Sequence, residues 1–189
     1  MRRRTILGIL AATPLLGTRA TAATPKGDIR VKRLQDQWKA LLPAGVKPPS
    51  PGERLELSDA QWKKRLTPAQ YDVLRHEATE PAGSSPLNRE TRPGIFACAG
   101  CGLPLFSSAM KYDSGTGWPS FFTHLPGALG TKSDFKLIWP RTEYHCARCG
   151  GHQGHVFDDG PPPTGKRYCN NGLALNFIPD DQPLPALRG

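Results

Sequence analysis

Five cysteines are the residues of this chain whose spacing points most directly to chemistry. Four of them fall into two C-x-x-C segments, CAGC at 98–101 and CARC at 146–149. A C-x-x-C turn directs two thiolates at one point, and two such turns complete a tetrahedral sulfur site of the kind that structural zinc prefers. The sequence therefore predicts one structural Zn²⁺ per chain, held by Cys98, Cys101, Cys146 and Cys149.

Other states of the same four thiols stay open from the residues alone. Exported proteins favour disulfides, so each C-x-x-C pair could close on itself. Four thiolates also suit iron, either as a single ion or in an iron–sulfur cluster. Zinc is the preferred occupant, because a C-x-x-C disulfide is a tight ring that belongs to redox motifs rather than to structural staples.

Cys169, in the segment RYCNNGLAL, is the cysteine left over. An odd cysteine is a buried apolar side chain, half of an intermolecular bridge, or a reactive thiol. Arg167 lies two residues earlier, on the same face of a regular strand, where its cation favours the thiolate. Asn171 shares that face and can donate or accept a hydrogen bond. These neighbours favour the reactive thiol.

The segment GHQGHVFDDG places His152, His155 and Asp159 upstream of Cys169. Two histidines three residues apart could bind a metal or act as acid and base for a thiolate. The segment DSGTGWPSFF adds Trp118, an indole that either belongs to the core or forms one wall of a pocket for an apolar methyl group.

Short runs rich in β-branched and aromatic residues, separated by Gly, Pro, Asn and Asp, predict a mainly β fold from residue 94 onward. Twenty prolines and twenty glycines argue against a helical bundle. In the last predicted strand, the residues of one parity from Arg167 to Phe177 would share one face. The predicted strands are GIFAC at 94–98, FKLIWP at 135–140, EYHC at 143–146, HVFD at 155–158 and RYCNNGLALNFIP at 167–179.

Three helices are predicted before this β region, and we expect them to pack on the outside of the β core. Apolar residues recur at helical spacing over 29–42. Ser58 caps a short helix that runs through Leu66, and Thr67 caps another that ends near Ala78. The inner face of the last helix is formed by Tyr71, Leu74 and Ala78.

The first 22 residues have the form of a secretory signal. Three arginines precede an apolar run from Ile6 to Leu16, which is shorter than the ~20 residues that span a bilayer. Small residues at 20–22 fit a cleavage site, although an uncleaved N-terminal anchor stays open. The adjacent arginines also fit a twin-arginine signal. We expect export to the bacterial periplasm and no stable membrane insertion after cleavage.

Charge does not indicate a nucleic-acid partner. Cleavage after Ala22 removes four arginines and no acid, so the formal net charge falls from +9 to +5. A mild excess of this size is typical of a solvated surface. No run of basic residues interleaved with aromatics follows residue 23.

Four motifs follow one another along the chain: CAGCGLPLFSS, KYDSGTGWPSF, CARCG and GHVFDDGPPPTGKRYCNN. In content and in order they closely resemble those of the B-type methionine sulfoxide reductases, which are peptide-methionine (R)-S-oxide reductases. The resemblance implies two antiparallel β-sheets around a core, with flanking N-terminal helices and a structural zinc site. The implied reductase domain covers 79–180. It follows a signal at 1–22 and a linker with a helical extension at 23–78, and it precedes a tail at 181–189.

The same resemblance implies an enzyme that reduces the R epimer of methionine sulfoxide in peptides and proteins back to methionine. Cys169 would be the nucleophile and would pass through a sulfenic acid. Trp118 would bind the S-methyl group of the substrate. The other catalytic positions that the family implies are His155, His152, Asn171, Arg167 and Asp159.

This chain departs from the family pattern at three positions. Many members carry a resolving cysteine where Thr116 stands, and with four thiols on a metal no internal resolver remains. The departure predicts recycling by an external thiol, either thioredoxin-like or of low molecular weight. Members usually have an aliphatic residue where Asn170 stands and a serine where Gly172 stands, which predicts a difference in rate or substrate preference.

Two other classes of function compete with the reductase. A zinc-ribbon module that binds nucleic acid would use the four cysteines and the basic charge. It would leave Cys169, His155 and Trp118 without roles. A thiol oxidoreductase would instead use the C-x-x-C pairs as redox centres. About one bound zinc per chain, as a four-cysteine site predicts, would argue against that use.

Overall fold

The computed structural model describes residues 26–37, 54–135 and 140–188. Within these ranges the chain forms three helices and nine short strands, and the strands lie in two antiparallel sheets. The mainly β fold predicted from the sequence is therefore confirmed. The predicted signal at 1–22 lies outside the described residues. None of the helices described is both long enough and apolar enough to cross a bilayer.

The helices are α1 (Lys26–Gln37), α2 (Asp59–Arg65) and α3 (Pro68–His76). Ser58 and Thr67 cap α2 and α3 as predicted. Each cap forms a reciprocal capping box with the glutamine three residues later, which satisfies two backbone donors at the start of the helix. Residues 38–42 of the first predicted helix lie outside the described part of the chain.

The helix α3 packs on the β core through buried side chains. Tyr71 and Leu74 are buried, as predicted, together with Val73. The helix ends before Ala78, because Glu77 adopts a left-handed conformation with φ of 58°. Arg75 donates a hydrogen bond of 3.0 Å to the carbonyl of Cys149, so α3 is tied to the second C-x-x-C turn.

The smaller sheet has the order β2-β1-β9 and the larger has the order β3-β4-β8-β7-β6-β5. Aromatic side chains fill the space between the sheets. Phe106 stacks on Phe121 with ring centroids 4.0 Å apart, and Phe96 meets Phe121 edge to face at 5.1 Å. The strands are β1 (Gly94–Cys98), β2 (Pro104–Ser107), β3 (Lys111–Tyr112), β4 (Ser120–Phe121), β5 (Leu129–Asp134), β6 (Arg141–Cys146), β7 (His152–Phe157), β8 (Arg167–Asn170) and β9 (Leu175–Pro179).

The prediction of one strand over 167–179 is wrong. The chain forms β8 in the larger sheet, bends through a 3-10 turn at 172–174, and continues as β9 in the smaller sheet. The bend abolishes the single face expected from Arg167 to Phe177. Periodicity could not show this change of sheet, because both strands carry residues that fit a half-buried strand.

The strand predicted at 135–140 is not tested over most of its length. Its residues 136–139 lie outside the described part of the chain, and Phe135 is outside any strand. The strand β6 pairs with β7 on one side and with β5, which precedes the predicted segment, on the other. Four of the six residues of β5 are polar and three are exposed, because it lies at the edge of the larger sheet. A hydrophobic pattern therefore gives no signal for it.

The register of the larger sheet brings one row of residues to the same face. Cys169 on β8 lies opposite Ser120 on β4 and opposite His155 on β7. The row continues from His155 to Glu143 on β6 and then to Lys132 on β5. Directly paired residues of an antiparallel sheet point to the same side, so the fold sets the thiol beside an imidazole.

Gly154 permits the close approach of β7 to β8. A β-carbon at this position would lie 1.9 Å from the carbonyl oxygen of Cys169. We expect Gly154→Ala to lower the free energy of unfolding by about 3 kcal/mol, at the upper end of what overpacking costs, because the two strands must separate. Urea denaturation measures this loss.

Gly127→Ala is the matched control for the Gly154 substitution. Gly127 has φ of +71°, and a β-carbon added there would meet no heavy atom within 4 Å, so its substitution introduces backbone strain without a clash. The expected cost is about 1 kcal/mol. Equal losses of stability in the two variants would contradict the proposed contact between β7 and β8.

Candidate active site and metal centre

The four cysteines of the C-x-x-C pairs form one buried cluster. All four sulfur atoms lie within 4.8 Å of one another, and none belongs to a disulfide. The Sγ atoms of Cys98 and Cys149 are 3.6 Å apart, as are those of Cys101 and Cys146. Four thiolates at about 2.3 Å from a tetrahedral ion are separated by about 3.8 Å. The donor set therefore fits one tetrahedral metal ion.

The cluster joins the two sheets. Cys98 ends β1 of the smaller sheet and Cys146 ends β6 of the larger sheet. The turn after each strand is closed by a glycine with positive φ: the Gly102 amide donates to the Cys98 carbonyl, and the Gly150 amide donates to the Cys146 carbonyl. These equivalent turns direct both sulfur pairs to one point between the sheets.

Cys169 lies at a second site, a cavity of about 130 Å³. Both apolar and polar residues line the cavity. Of the residues predicted for catalysis and substrate binding, four line it and three do not: Arg167, Asp159 and His152 are set back from the wall. The lining residues are Thr79, Trp118, Arg141, Gly154, His155, Phe157, Cys169, Asn170 and Asn171.

The Cys169 thiol is half-buried, and burial raises its pKa. The charge of Arg167 and hydrogen bonds from Thr116 and Arg167 act in the opposite direction, but burial has the larger effect. Arg167 lowers the pKa of Cys169, yet it does not make Cys169 a thiolate by itself. The resting side chain is a thiol at neutral pH.

Arg167 is held behind the cavity wall by two contacts. Its guanidinium makes a two-pronged pair with Asp159, with both N–O distances at 2.8 Å. It also lies over the ring of Phe157, 4.3 Å from the centroid. The pKa of Asp159 is lowered, chiefly by the hydrogen bond from Arg167. Asp159 therefore orients the cation, although the residue itself is exposed.

His155 is the histidine that faces the cavity. Its Nε2 is 2.7 Å from Asp134 Oδ2, and the same carboxylate oxygen accepts a hydrogen bond of 2.7 Å from Arg141. Burial lowers the pKa of His155, so the ring is neutral at pH 7. A neutral ring that donates from Nε2 leaves Nδ1 as a proton acceptor.

His152 lies behind His155, with the ring centroids 5.5 Å apart. Its Nδ1 is 2.7 Å from Glu143 Oε1, and its buried Nε2 has no hydrogen-bond partner within the part of the chain that the structure describes. Burial would raise the pKa of Glu143, but hydrogen bonds from His145 and His152 hold it at about 2. Glu143 therefore stays a charged carboxylate that hydrogen-bonds both His145 and His152.

Glu80 is the residue that orders the rest of the cavity. Its main-chain carbonyl accepts a hydrogen bond of 3.0 Å from the indole of Trp118, and its main-chain amide donates one of 3.0 Å to Asn171 Oδ1. Its buried carboxylate accepts from the amides of Gly172 and Leu173 at 2.6 Å and 2.9 Å. One residue thus holds both the indole and the amide that line the cavity.

The match to known proteins agrees with this geometry. The family model described as the SelR domain matches residues 66–179. A protein of Agrobacterium fabrum named peptide methionine sulfoxide reductase MsrB is 49% identical over 127 residues, which cover 67% of this chain and 94% of that protein. A protein of Methanosarcina barkeri with the same name is 48% identical over 129 residues, which cover 68% of this chain and 91% of that protein.

A more distant relative is the mitochondrial methionine-R-sulfoxide reductase B3 of Mus musculus. It is 43% identical over 141 residues, which cover 74% of this chain and 56% of that protein. This chain belongs to the B-type methionine sulfoxide reductase family. The family resemblance identified from the sequence motifs is therefore confirmed.

Two of the departures from the pattern of B-type methionine sulfoxide reductases have a structural account. Thr116 is near enough to Cys169 for its hydroxyl to lower the pKa of that thiol, so this departure lies beside Cys169. Thr116 also contacts Ser114 at 2.9 Å. A β-carbon at Gly172 would lie 2.0 Å from Ser85 Oγ, so the absence of a side chain at 172 allows the segment after α3 to close over the bend.

Sequence reasoning missed three acidic residues that support the site: Glu80, Asp134 and Glu143. Glu143 and Asp134 were inside or beside predicted strands, where alternating charges indicate a solvent face. Glu80 lies in a Pro- and Gly-rich segment without periodicity. A usable signal was the presence of two histidines in one segment, because buried histidines need carboxylate or carbonyl partners that must come from other strands.

The electrostatic environment of Cys169 predicts a pH dependence for its alkylation. We expect the rate with iodoacetamide to rise with pH through a midpoint above that of an ordinary thiol, because burial raises the pKa of Cys169. In Arg167→Met the midpoint moves higher still, and the rate at pH 7 falls by up to about tenfold per unit of pKa. Mass spectrometry of the Cys169 peptide measures the rate.

Asp159→Asn is the matched control for the Arg167 substitution. The carboxylate of Asp159 raises the pKa of Cys169 by its charge, so its removal moves the midpoint lower. Opposite shifts in the two variants distinguish an effect of charge from a general loss of order. A shift in the same direction in both would show that Asp159 acts on Cys169 by holding Arg167 in place and not by its own charge.

Proposed function

We propose that this protein reduces the R epimer of methionine sulfoxide in peptides and proteins, with Cys169 as the nucleophile. The observation that carries the proposal is the placement of the odd thiol in a cavity beside an indole and a neutral imidazole, in a chain of this family. The epimer follows the name of the murine relative. A free methionine sulfoxide is a poorer fit than a residue within a peptide, as the family resemblance implies.

The groups of the substrate match the apolar and polar residues that line the cavity. A methyl sulfoxide has a small apolar methyl group, a soft sulfur centre and a polar oxygen. The indole of Trp118 and the ring of Phe157 supply apolar surface for the methyl group. Asn171 supplies an amide donor for the oxygen, and His155 can donate to it once its Nδ1 has taken the thiol proton. This orientation leaves the sulfoxide sulfur facing Cys169.

The chemical step is an oxygen transfer from substrate sulfur to cysteine sulfur. The Cys169 sulfur attacks the sulfoxide sulfur while His155, through Nδ1, takes the thiol proton and passes it to the departing oxygen. The attack forms a sulfur–sulfur bond between Cys169 and the substrate. This bond and the substrate S–O bond then break as the protonated oxygen moves to Cys169, where a new S–O bond forms. The methionine sulfur gains two electrons and the cysteine sulfur loses two. The products are methionine and the Cys169 sulfenic acid.

Zinc is the metal that we assign to Cys98, Cys101, Cys146 and Cys149. It is redox-silent and takes four thiolates in closed structural sites, which suits a buried sulfur cluster with no free position. When bound, it would hold the two C-x-x-C turns together and take no part in the oxygen transfer. Its contribution is to the stability of the junction between the sheets.

Recycling requires an external thiol, because Thr116, and not a second cysteine, is the residue of that loop whose side chain acts on the Cys169 thiol. One thiol attacks the sulfenic acid, releases water and leaves a mixed disulfide. A second thiol then releases Cys169 and departs in a disulfide. The candidates are thioredoxin-like proteins and low-molecular-weight thiols. The predicted signal at 1–22 supports a periplasmic location for this cycle.

The proposed activity predicts a specific loss in Cys169→Ser. We expect single-turnover reduction of the R epimer of peptide methionine sulfoxide to fall below detection, while the S epimer is reduced by neither protein. Wild type and variant should both contain about one zinc per chain, as a single four-cysteine site predicts. Chromatography of the separated epimers and metal analysis are the two measurements.

Loss of zinc in Cys169→Ser would contradict the assignment of this thiol as free. Turnover that persists in the variant would show that a residue other than Cys169 is the nucleophile. Redox-active C-x-x-C pairs would appear as zinc-free protein whose activity needs those four cysteines. A salt-sensitive gel shift without sulfoxide turnover would instead support a nucleic-acid module.

The recycling proposal predicts the state of Cys169 after one turnover without reductant. In the wild type, Cys169 should react with dimedone as a sulfenic acid and should occur in no internal disulfide. Thr116→Cys is the matched variant, because the side chain at position 116 is near enough to Cys169 to lower the pKa of that thiol. Peptide mapping should then find Cys169 bonded to the introduced thiol. An internal disulfide in the wild type would overturn a one-cysteine cycle.

A further inference from the structure

A buried cluster of polar side chains lies between the metal centre and the active strand. Gln153 on β7, Asn170 at the end of β8, and Tyr144 on β6 are all fully buried. Burial of polar groups costs free energy unless each finds a partner. Every one of these side chains has hydrogen bonds, and the bonds run from the cysteine cluster to Asn171 beside the reactive thiol.

One end of the cluster contacts a metal ligand. The amide nitrogen of Gln153 donates to the Sγ atom of Cys98 at 3.5 Å. A metal-bound cysteine is a thiolate, and hydrogen bonds to charged acceptors are stronger than those to neutral ones. The orientation of the Gln153 amide is therefore better defined when the cluster holds an ion. Such outer contacts also tune how firmly a ligand is held.

The other end of the cluster contacts the residues that follow Cys169. Asn170 Nδ2 donates to Gln153 Oε1 at 3.3 Å and to the Asn171 carbonyl at 2.8 Å. Tyr144 donates to Asn170 Oδ1 at 2.8 Å, which fixes the orientation of that amide. The main-chain carbonyl of Gln153 also accepts from the Asn171 amide at 2.8 Å and from its side chain at 3.1 Å.

An apolar pair would fill the same space at no greater cost. Replacing both partners of a buried hydrogen bond by apolar groups of the same shape is often nearly neutral. Gln153 and Asn170 are both closed to solvent, so neither amide gains from contact with water. The polar pair in this chain therefore contributes something other than burial. The pair connects two places: a cysteine sulfur at one end and the wall of the catalytic cavity at the other.

We propose that Gln153 is a positioning residue that couples the four-cysteine centre to the strand of Cys169. Metal binding orients the Gln153 amide, which orients Asn170 and thereby the main chain of Asn171 next to the thiol. Coupling between two sites is reciprocal, so a change at Cys169 must also change the environment of the metal. The inference rests on the proposed function only in treating Cys169 as the reactive thiol.

The test uses cobalt-substituted protein, because Co²⁺ bound to thiolates has visible absorption bands that report on the sulfur ligands. Cys169 is alkylated with iodoacetamide while the metal protects the other cysteines. In the wild type, alkylation should shift the cobalt bands. In Gln153→Met, which keeps an unbranched side chain but cannot hydrogen-bond, the shift should vanish. Transfer of the metal to a chelator should also become about tenfold faster, as loss of an outer contact predicts.

Asn170→Ile cuts the same link at its far end and leaves the contact between Gln153 and Cys98 in place. In this variant the alkylation-induced shift should vanish while metal release stays at the wild-type rate. Met110→Leu, a volume-conserving change at a buried residue of another turn, should leave both readouts unchanged. If Gln153→Met folds poorly, Asn170→Ile still decides the question.

A band shift of wild-type size in Asn170→Ile or Gln153→Met would overturn the coupling. Wild-type metal release in Gln153→Met would overturn the contact with the metal ligand. None of these readouts uses methionine sulfoxide. The coupling can therefore fail while the reductase activity stands, and the activity can fail while the coupling stands.

Discussion

The register between β7 and β8 is the constraint on which the rest of the site depends. It sets His155 directly opposite Cys169, and the glycine at 154 lets the two strands approach where a side chain would collide with the Cys169 carbonyl. A slip of one residue would turn the thiol and the imidazole to opposite faces. The neighbours of Cys169 and His155 are arranged around this pair, so the chemistry follows from a backbone pairing before any side chain is considered.

The second constraint is that buried charged side chains need partners, and acidic residues from distant segments supply them. Asp134 at the sheet edge pairs with His155 and Arg141. Glu143 pairs with His152, and Glu80 binds the bend after β8. A carboxylate in a protein interior is tolerated only with several donors around it. Asp134 and Glu80 therefore hold cavity residues in place, and Glu143 holds His152 behind them, while each acid gains the partners that its own burial requires.

Cys169 and the four clustered cysteines illustrate two outcomes of burial for one residue type. Burial raises the pKa of Cys169 and keeps this residue a thiol, which in the proposed reaction supplies the proton for the sulfoxide oxygen. The four clustered cysteines are more deeply buried and lie close enough to share a cation. The separation of these roles depends on geometry, since the residues themselves are chemically identical.

The sequence by itself determined the parts that short motifs encode. The paired C-x-x-C turns, the capped helices after Ser58 and Thr67, and the odd cysteine beside Arg167 follow from local spacing, because their partners lie within a few residues. The tertiary structure alone decided the bend that splits 167–179 between two sheets, the polar edge strand β5, and the contacts of Glu80 and Gln153. These depend on segments far apart in the chain, whose pairing is selected by packing and by the need to satisfy buried polar groups, and neither leaves a periodic trace in the sequence.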